Sequence, residues 1–210
     1  VTPVKRIVDV SAASLGLILL APVFAVVAVV IVFVDGRPVL FRQVRVGRNG
    51  VPFRIFKFRT MIRNAEARGG QLTAGRDGRV TPVGGWLRRT KLDELPQLLN
   101  VLAGQMSLVG PRPEVPKYVE FYTEGQRRVL GLVPGITDPA SVVFRDESSA
   151  LEAYDDAEKG YIEQIMPEKI RLNLEYAARR NVLRDLGVIC TTVWVVLFGR
   201  KDASSRGRPR

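Results

Sequence analysis

Residues 10–34 contain no charged side chain, and by length alone such a run reads as a membrane-crossing helix, since about 20 apolar residues span the hydrocarbon core. Pro22 stands near its middle, where proline removes a backbone hydrogen bond and breaks or kinks a helix. Basic residues flank both ends, Lys5 and Arg6 before it and Arg37, Arg42, Arg45 and Arg48 after it. The positive-inside tendency holds both flanks on the cytoplasmic side. A helix divided at Pro22 has arms of about 12 residues, each rising ~18 Å against a ~30 Å core. A helix–break–helix that enters and leaves one leaflet satisfies both facts. The competing reading is an ordinary signal anchor. A cleaved signal peptide fits less well, because the run is too long and lacks a small-x-small site. The expected organisation is a membrane helix over 1–36, a globular domain over 37–200 and a basic, disordered tail over 201–210.

A chain of 210 residues suits one domain, or one domain plus a membrane element. Its net charge of +11, from 32 basic and 21 acidic residues, points to an anionic partner: a phosphate-bearing substrate, acidic lipid or nucleic acid. There is no histidine, which excludes Ser-His-Asp and Cys-His catalysis and removes the commonest transition-metal ligand. The single Cys190 lies in the apolar run 188–198. It allows no disulfide framework and reads as a small buried hydrophobe. A nucleophile is therefore sought among Asp, Glu, Ser, Thr, Lys and Tyr. A metal would be a hard one, held by carboxylates and phosphate oxygens.

The stretch 91–102 pairs two carboxylates, Asp93 and Glu94, with Pro96 and a helical apolar pattern at Leu92, Leu95, Leu99 and Leu102. Proline belongs in a first helical turn, so Asp93 is the expected N-cap and Glu94 the first helical residue. Free N–H groups and the helix dipole at that end keep a carboxylate ionised and also attract phosphate. The plainer reading is a helix cap followed by an exposed glutamate.

Two β-rich runs, 38–46 and 52–59, bracket the turn Gly47-Arg48-Asn49-Gly50 and predict a hairpin, with cations alternating with aromatic and aliphatic residues. Residues 61–77 turn polar and glycine-rich, as a mobile surface segment does. Arg88 and Arg89 fall close to the dyad, where they either neutralise a diphosphate or face solvent. Gly110-Pro111-Arg112-Pro113 is a rigid turn that restricts one guanidinium. Residues 114–133 read as an amphipathic helix and 148–185 as charged and helical. The run 188–198 is too short to span a bilayer and suits an in-plane or buried helix, with Trp194 and the pair Arg200-Lys201 as an interfacial anchor. The fold class is α+β: a small, mostly helical domain with one β-hairpin, built on the N-terminal membrane helix.

Three motifs in order, Lys57-Phe58-Arg59-Thr60-Met61, the run 90–102 and Met106-Ser107-Leu108-Val109-Gly110-Pro111-Arg112-Pro113, resemble the bacterial sugar transferases, the monotopic polyprenyl-phosphate phosphoglycosyl transferases. The resemblance extends from about Lys5 to about Phe198. It implies a re-entrant membrane helix broken at Pro22, though the family often has serine where this chain has Ala21. It implies transfer of a phosphosugar from a UDP-sugar to polyprenyl (undecaprenyl) phosphate with release of UMP. Asp93 would be the covalent nucleophile and Glu94 the Mg²⁺ ligand, the two together being the candidate metal site. Lys57, Arg59 and Arg112 would bind substrate phosphate, with Arg88 beside them. Pro134-Gly135-Ile136-Thr137 matches a further family motif, but the chain departs from the pattern at Asp138-Pro139 before Arg145, which is kept as a substrate contact. The implied place is the cytoplasmic face of the bacterial inner membrane, with membrane lipids as partners, no nucleic acid, and a homodimer left open. Two rivals stand beside this: a non-catalytic, membrane-anchored basic protein that binds acidic lipid or nucleic acid, and a single-displacement transferase in which Asp93 only holds metal. Neither the sugar nor the glycan can be read from the residues.

Overall fold

Thr2 accepts a hydrogen bond from the Lys5 amide and Pro3 supplies the first helical residue, opening α1 (Pro3–Val34). In this computed structural model, which describes residues 2–70, 72–73 and 77–198, α1 is helical from end to end with Pro22 inside it. The two arms expected on either side of Pro22 are thus corrected to one helix of 32 residues, about 48 Å long. A proline forfeits one hydrogen bond, whereas unwinding in apolar surroundings would strand several backbone groups, so the helical backbone persists. Among the described residues α1 is the one helix long and apolar enough to cross a membrane, with only 11% of its most apolar window buried. Asp9, Ala13, Val27 and Ile31 form its buried stripe. Ile18, Leu19, Val26 and Phe33 lie on the exposed side.

The chain then folds into the expected hairpin, β1 (Leu40–Val46) and β2 (Pro52–Phe58), antiparallel with Leu40 opposite Phe58 and Val46 opposite Pro52. Asn49 and Gly50 take positive φ values of 58° and 78° in the turn, which asparagine and glycine tolerate. Thr81 caps α2 (Pro82–Thr90). Gly84 lets that helix lie against Thr60, whose carbonyl oxygen would sit 2.0 Å from any added Cβ. After α2 come 3₁₀ turns over Leu92–Gln97 and then α3 (Leu98–Leu102). β3 (Ser107–Val109) pairs in parallel with β4 (Gly135–Thr137). Between them lie α4 (Pro116–Val119), α5 (Glu124–Arg127) and a 3₁₀ turn, Arg128–Gly131. The amphipathic helix expected over 114–133 is therefore in pieces, with Thr123 and Gln126 forming a capping box at the restart.

Asp138 caps α6 (Pro139–Val143), accepting from Ser141 N at 3.0 Å and Ser141 Oγ at 2.6 Å, so the family departure at this point is a buried helix cap. Short α7 (Glu147–Leu151) and α8 (Ala157–Gly160) lead through a π-helical turn, Tyr161–Ile165, into α9 (Met166–Ala178) and α10 (Val182–Phe198). The main core gathers Tyr118, Tyr122, Leu151, Tyr161, Met166 and Ile170. A second cluster packs Ala13 of α1 on Phe53, Ile55, Leu98, Val101 and Met106. A third packs Val27 and Ile31 on Phe58 and Leu87. Cys190 on α10 is exposed, contrary to expectation, because it shares a helix whose Leu183, Val193, Trp194 and Phe198 are also uncovered. Described residues of the 61–80 segment are held by Arg79, which donates to the carbonyls of Ala65, Gly70 and Leu72 and pairs with Asp77. The tail 201–210 and the pair Arg200-Lys201 lie outside the described residues.

Candidate active site

Lys91 takes a left-handed conformation, φ 58°, and turns the chain out of α2. Pro96 has no N–H to continue an α-helical ladder, and the dyad lies in 3₁₀ turns; the α-helix begins at Leu98. Asp93 is therefore not the N-cap that the spacing predicts; Lys91 holds that position at the start of the 3₁₀ turns. Leu99 and Leu102 are on the exposed side, while Leu98, Asn100 and Val101 face inward. Asn100, fully buried, settles the orientation. Its Oδ1 accepts from Phe56 N at 3.0 Å and its Nδ2 donates to Arg54 O at 2.8 Å. One side chain thereby satisfies the free edge of β2 and presses the dyad segment onto the strand that carries Lys57.

Glu94 is the hub. Its Oε1 accepts from Lys57 Nζ at 3.1 Å and from Arg112 Nη2 at 2.5 Å, and its Oε2 accepts from Arg112 Nη1 at 2.8 Å. Arg112 arrives on the turn that follows β3. That turn touches the Pro-Gly-Ile-Thr segment so closely that a Cβ on Gly135 would lie 2.1 Å from Gly110 N. Arg88 stands on α2 within electrostatic range of Asp93 and Glu94, its Nε donating to Thr60 Oγ1 at 2.9 Å. Asp93 and Glu94 are 5% and 8% exposed, so the dyad is nearly shut off from solvent, whereas the Arg112 side chain, 29% exposed, is the open side.

The electrostatics divide the two carboxylates. Despite burial, Arg112 and then Lys57 hold Glu94 well below the usual carboxylate range. Burial, and next the neighbouring Glu94, push Asp93 up, opposed by Lys57, Lys91 and Arg88. Its Oδ1 is buried with no hydrogen-bond partner, an acceptor that awaits a cation or donor. Burial lowers Lys57 to about 8, lowers Arg88, and is outweighed at Arg112, which Glu94 holds above the normal guanidinium value.

Of the residues singled out by sequence, Asp93, Glu94, Lys57, Arg88 and Arg112 come together. Arg59 does not join them. It is 6% exposed, and its Nη2 donates to the carbonyls of Asp35, at 2.8 Å, and Gly36 at the end of α1. Carbonyls left free at a helix C-terminus attract a guanidinium there. Arg145 donates to Val196 O of α10 at 3.4 Å. Sequence reasoning missed Arg45, which it counted only among the basic residues that flank the apolar run. Arg45 is half-buried, donates to Gln43 Oε1 and to Pro113 O at 3.1 Å, and pairs with Glu114 at 3.6 Å. It thus braces the turn that bears Arg112. The signal was in the hairpin register: Arg45 pairs with Phe53 and Phe41 with Lys57, which puts Arg45 and Lys57 on the same face. Glu114, which accepts from Tyr161 OH, carried no comparable signal.

Residues 1–199 match the bacterial sugar transferase family. The UDP-glucose:undecaprenyl-phosphate glucose-1-phosphate transferase of Escherichia coli (strain K12) is 37% identical over 194 residues, 90% of this chain and 39% of that protein. The putative undecaprenyl-phosphate N-acetylgalactosaminyl 1-phosphate transferase of Bacillus subtilis (strain 168) is 44% identical over 119 residues, 57% of this chain and 66% of its own length. The uncharacterized sugar transferase EpsL of the same organism is 36% identical over 193 residues, 92% of this chain and 87% of that protein. The chain thus spans well under half of the first relative, but most of the third. Motif order, a dyad held by Arg112 and Lys57, and a match along nearly the whole sequence agree: the chain belongs to the bacterial sugar transferase family.

Proposed function

We propose that the protein transfers a sugar phosphate from a UDP-sugar to polyprenyl phosphate at a membrane surface, releasing UMP. The observation that carries this reading is the pairing of a carboxylate locked by Arg112 and Lys57 with a neighbouring aspartate whose Oδ1 has no partner. Relatives are named for this transfer with UDP-glucose or with N-acetylgalactosaminyl 1-phosphate.

Asp93 attacks the phosphorus that bears the sugar. The bond from that phosphorus to the bridging oxygen breaks, its electron pair leaves with UMP, and an aspartyl phosphosugar forms. An oxygen of the lipid phosphate then attacks the same phosphorus, the acyl-phosphate bond breaks, and Asp93 is free again. Lys57, Arg88 and Arg112 offset the charge that crowds around the diphosphate. Arg112, on the open side, meets the incoming anion first, and its bidentate fork suits phosphate as well as Glu94. Asp93 and Glu94 are the residues that would hold Mg²⁺, the fit resting on the orphaned Asp93 Oδ1. Among the described residues no group of three acidic, Cys or His side chains forms a protein-only cage, which suits a cation that takes its remaining ligands from phosphate and water. When bound, that cation offsets charge on the leaving group.

The lipid acceptor explains the membrane elements. Lys5 near one end of α1 pairs with Asp185 of α10, and Asp35 just past the other end accepts from Thr81 Oγ1 at 2.8 Å. Both contacts are to the same globular body, which supports a helix that lies at one leaflet on the cytoplasmic side rather than crossing. Intact-mass measurement with UDP-glucose, UDP-galactose or UDP-N-acetylgalactosamine and no lipid is expected to show a phosphosugar adduct that Asp93→Asn lacks. Absence of the adduct for every donor, with full activity in Asp93→Asn, would refute the covalent step.

A further inference from the structure

A cleft open to solvent runs from Arg112 and Pro113 to α9, where Asn173 lines its wall. Asn173 is 4% exposed, and its Oδ1 is buried without a hydrogen-bond partner. Stranding a buried amide oxygen is costly, so one kept in a folded protein calls for a donor from water or from a ligand. Of the other polar side chains that line the cleft, Lys169, Tyr161 and Glu114 are engaged. Lys169 is tied to Glu147 at 2.5 Å and lies over the Tyr161 ring at 5.3 Å, and Tyr161 OH donates to Glu114. Leu132, Met166 and Ile170 make the remaining wall apolar.

We infer that this cleft receives the uracil base of the nucleotide donor, with the Asn173 amide pairing its imide edge. The inference rests on the reading of the protein as a UDP-sugar transferase and adds which arm of that donor enters this cleft. A hexose carries hydroxyls around its whole ring, and the part of the wall made by Leu132, Met166 and Ile170 offers them no partner. A pyrimidine has two apolar faces and one polar edge. Its N3–H donates to the Asn173 oxygen while the amide nitrogen donates to a ring carbonyl. With Arg112 at the mouth, the base lies inside and the phosphates reach the dyad.

The test uses the full chain in anionic-lipid nanodiscs and calorimetric titration with UMP, CMP and glucose 1-phosphate. Cytosine reverses the donor and acceptor on that edge, so the unaltered protein is expected to bind UMP about tenfold more tightly than CMP. Asn173→Leu is expected to lose about tenfold in UMP affinity with CMP and glucose 1-phosphate unchanged. Asn173→Asp, of nearly equal volume and unable to donate when ionised, is expected to lose most of the preference and stands in should the leucine variant not fold. If the folded variants keep the original UMP-over-CMP ratio, the base assignment is overturned. It is likewise overturned if they alter only the ratio of UDP-glucose to UDP-N-acetylgalactosamine binding. An unaltered protein that binds neither UMP nor any UDP-sugar overturns the transferase reading itself, and this inference with it.

Discussion

At the scale of single residues, the site depends on how Glu94 divides its two oxygens between a fork and a point charge. Lysine in place of Arg112 keeps the charge but cannot engage both oxygens, and it loses the planar match to phosphate. Arg112→Lys is therefore expected to lower kcat/KM for UMP release by about 10- to 100-fold, measured at fixed lipid acceptor. Lys57 supplies a pH signature. Burial brings it down to about 8 from its ordinary value of 10.5. Its charged form, which faces Glu94 and the incoming phosphates, is lost as pH rises through about 8. Activity is expected to fall along that limb, and Lys57→Arg, which stays charged, to remove the fall. Stability moves the other way. Between about 8 and 10.5 the unfolded chain binds a proton at this position that the folded chain does not, so this group's contribution to stability rises with pH over that window. A pH–rate profile and a pH series of denaturation midpoints that moved together would contradict this account of Lys57.

At the scale of elements, Asn100 joins two pieces that have no strand between them. Asn100→Leu keeps the branched outline of the side chain but leaves Phe56 N and Arg54 O without their partners, a loss of about 2–4 kcal/mol. A lower denaturation midpoint with an unchanged denaturant slope would register it, together with a fall in activity as the dyad segment loosens from β2. The sequence made some elements plain and hid others for identifiable reasons. The hairpin was readable because Gly47-Arg48-Asn49-Gly50 interrupts two alternating runs. The meeting of Asp93, Glu94, Lys57 and Arg112 was readable from the motifs. The dyad's local form was not, because leucines at 92, 95, 99 and 102 imitate an α-helical face that Pro96 prevents from forming, and the inward side belongs to Leu98, Asn100 and Val101. The parallel pairing of β3 with β4 joins segments of three residues each, too short for alternation to declare. Arg59 sat inside a motif and was read as a phosphate ligand. Its pairing with carbonyls past α1 depends on where a distant helix ends, which no local pattern records.

At the scale of the whole molecule, the question is how a helix of 32 residues with an apolar outer side can sit on a domain that gathers Lys57, Glu94 and Arg112. Its inner stripe is fastened along its length. Arg6 donates to the carbonyls of Val101, at 2.6 Å, and Leu102, at 3.0 Å, where α3 ends, and Asp9 accepts from Ser107 Oγ at 2.7 Å. Phe24 meets Phe58 edge-on at 5.5 Å, and Ile31 packs on Leu87. Were α1 to cross a bilayer in this arrangement, α3, β3 and the end of β2 would be carried into roughly 30 Å of hydrocarbon with it, and burying their charged and polar groups there would be prohibitive. A helix that rests at one leaflet, outer side in lipid and inner side on the domain, avoids that cost. It also leaves α10, with Trp194 and Phe198 exposed, free to lie at the same surface. The two topologies part at the helix ends. In a Cys190→Ser background, cysteines introduced singly at Thr2 and Arg37 are both expected to react with a membrane-impermeant maleimide in inside-out vesicles, and neither in right-side-out ones. Removing the Thr2 cap costs only about 1 kcal/mol, so the fold tolerates the first substitution, and the second falls on an exposed side chain. Labelling of the two positions from opposite sides would show that α1 crosses, and would require the contacts of Lys5, Arg6 and Asp9 with the domain to be broken in the membrane.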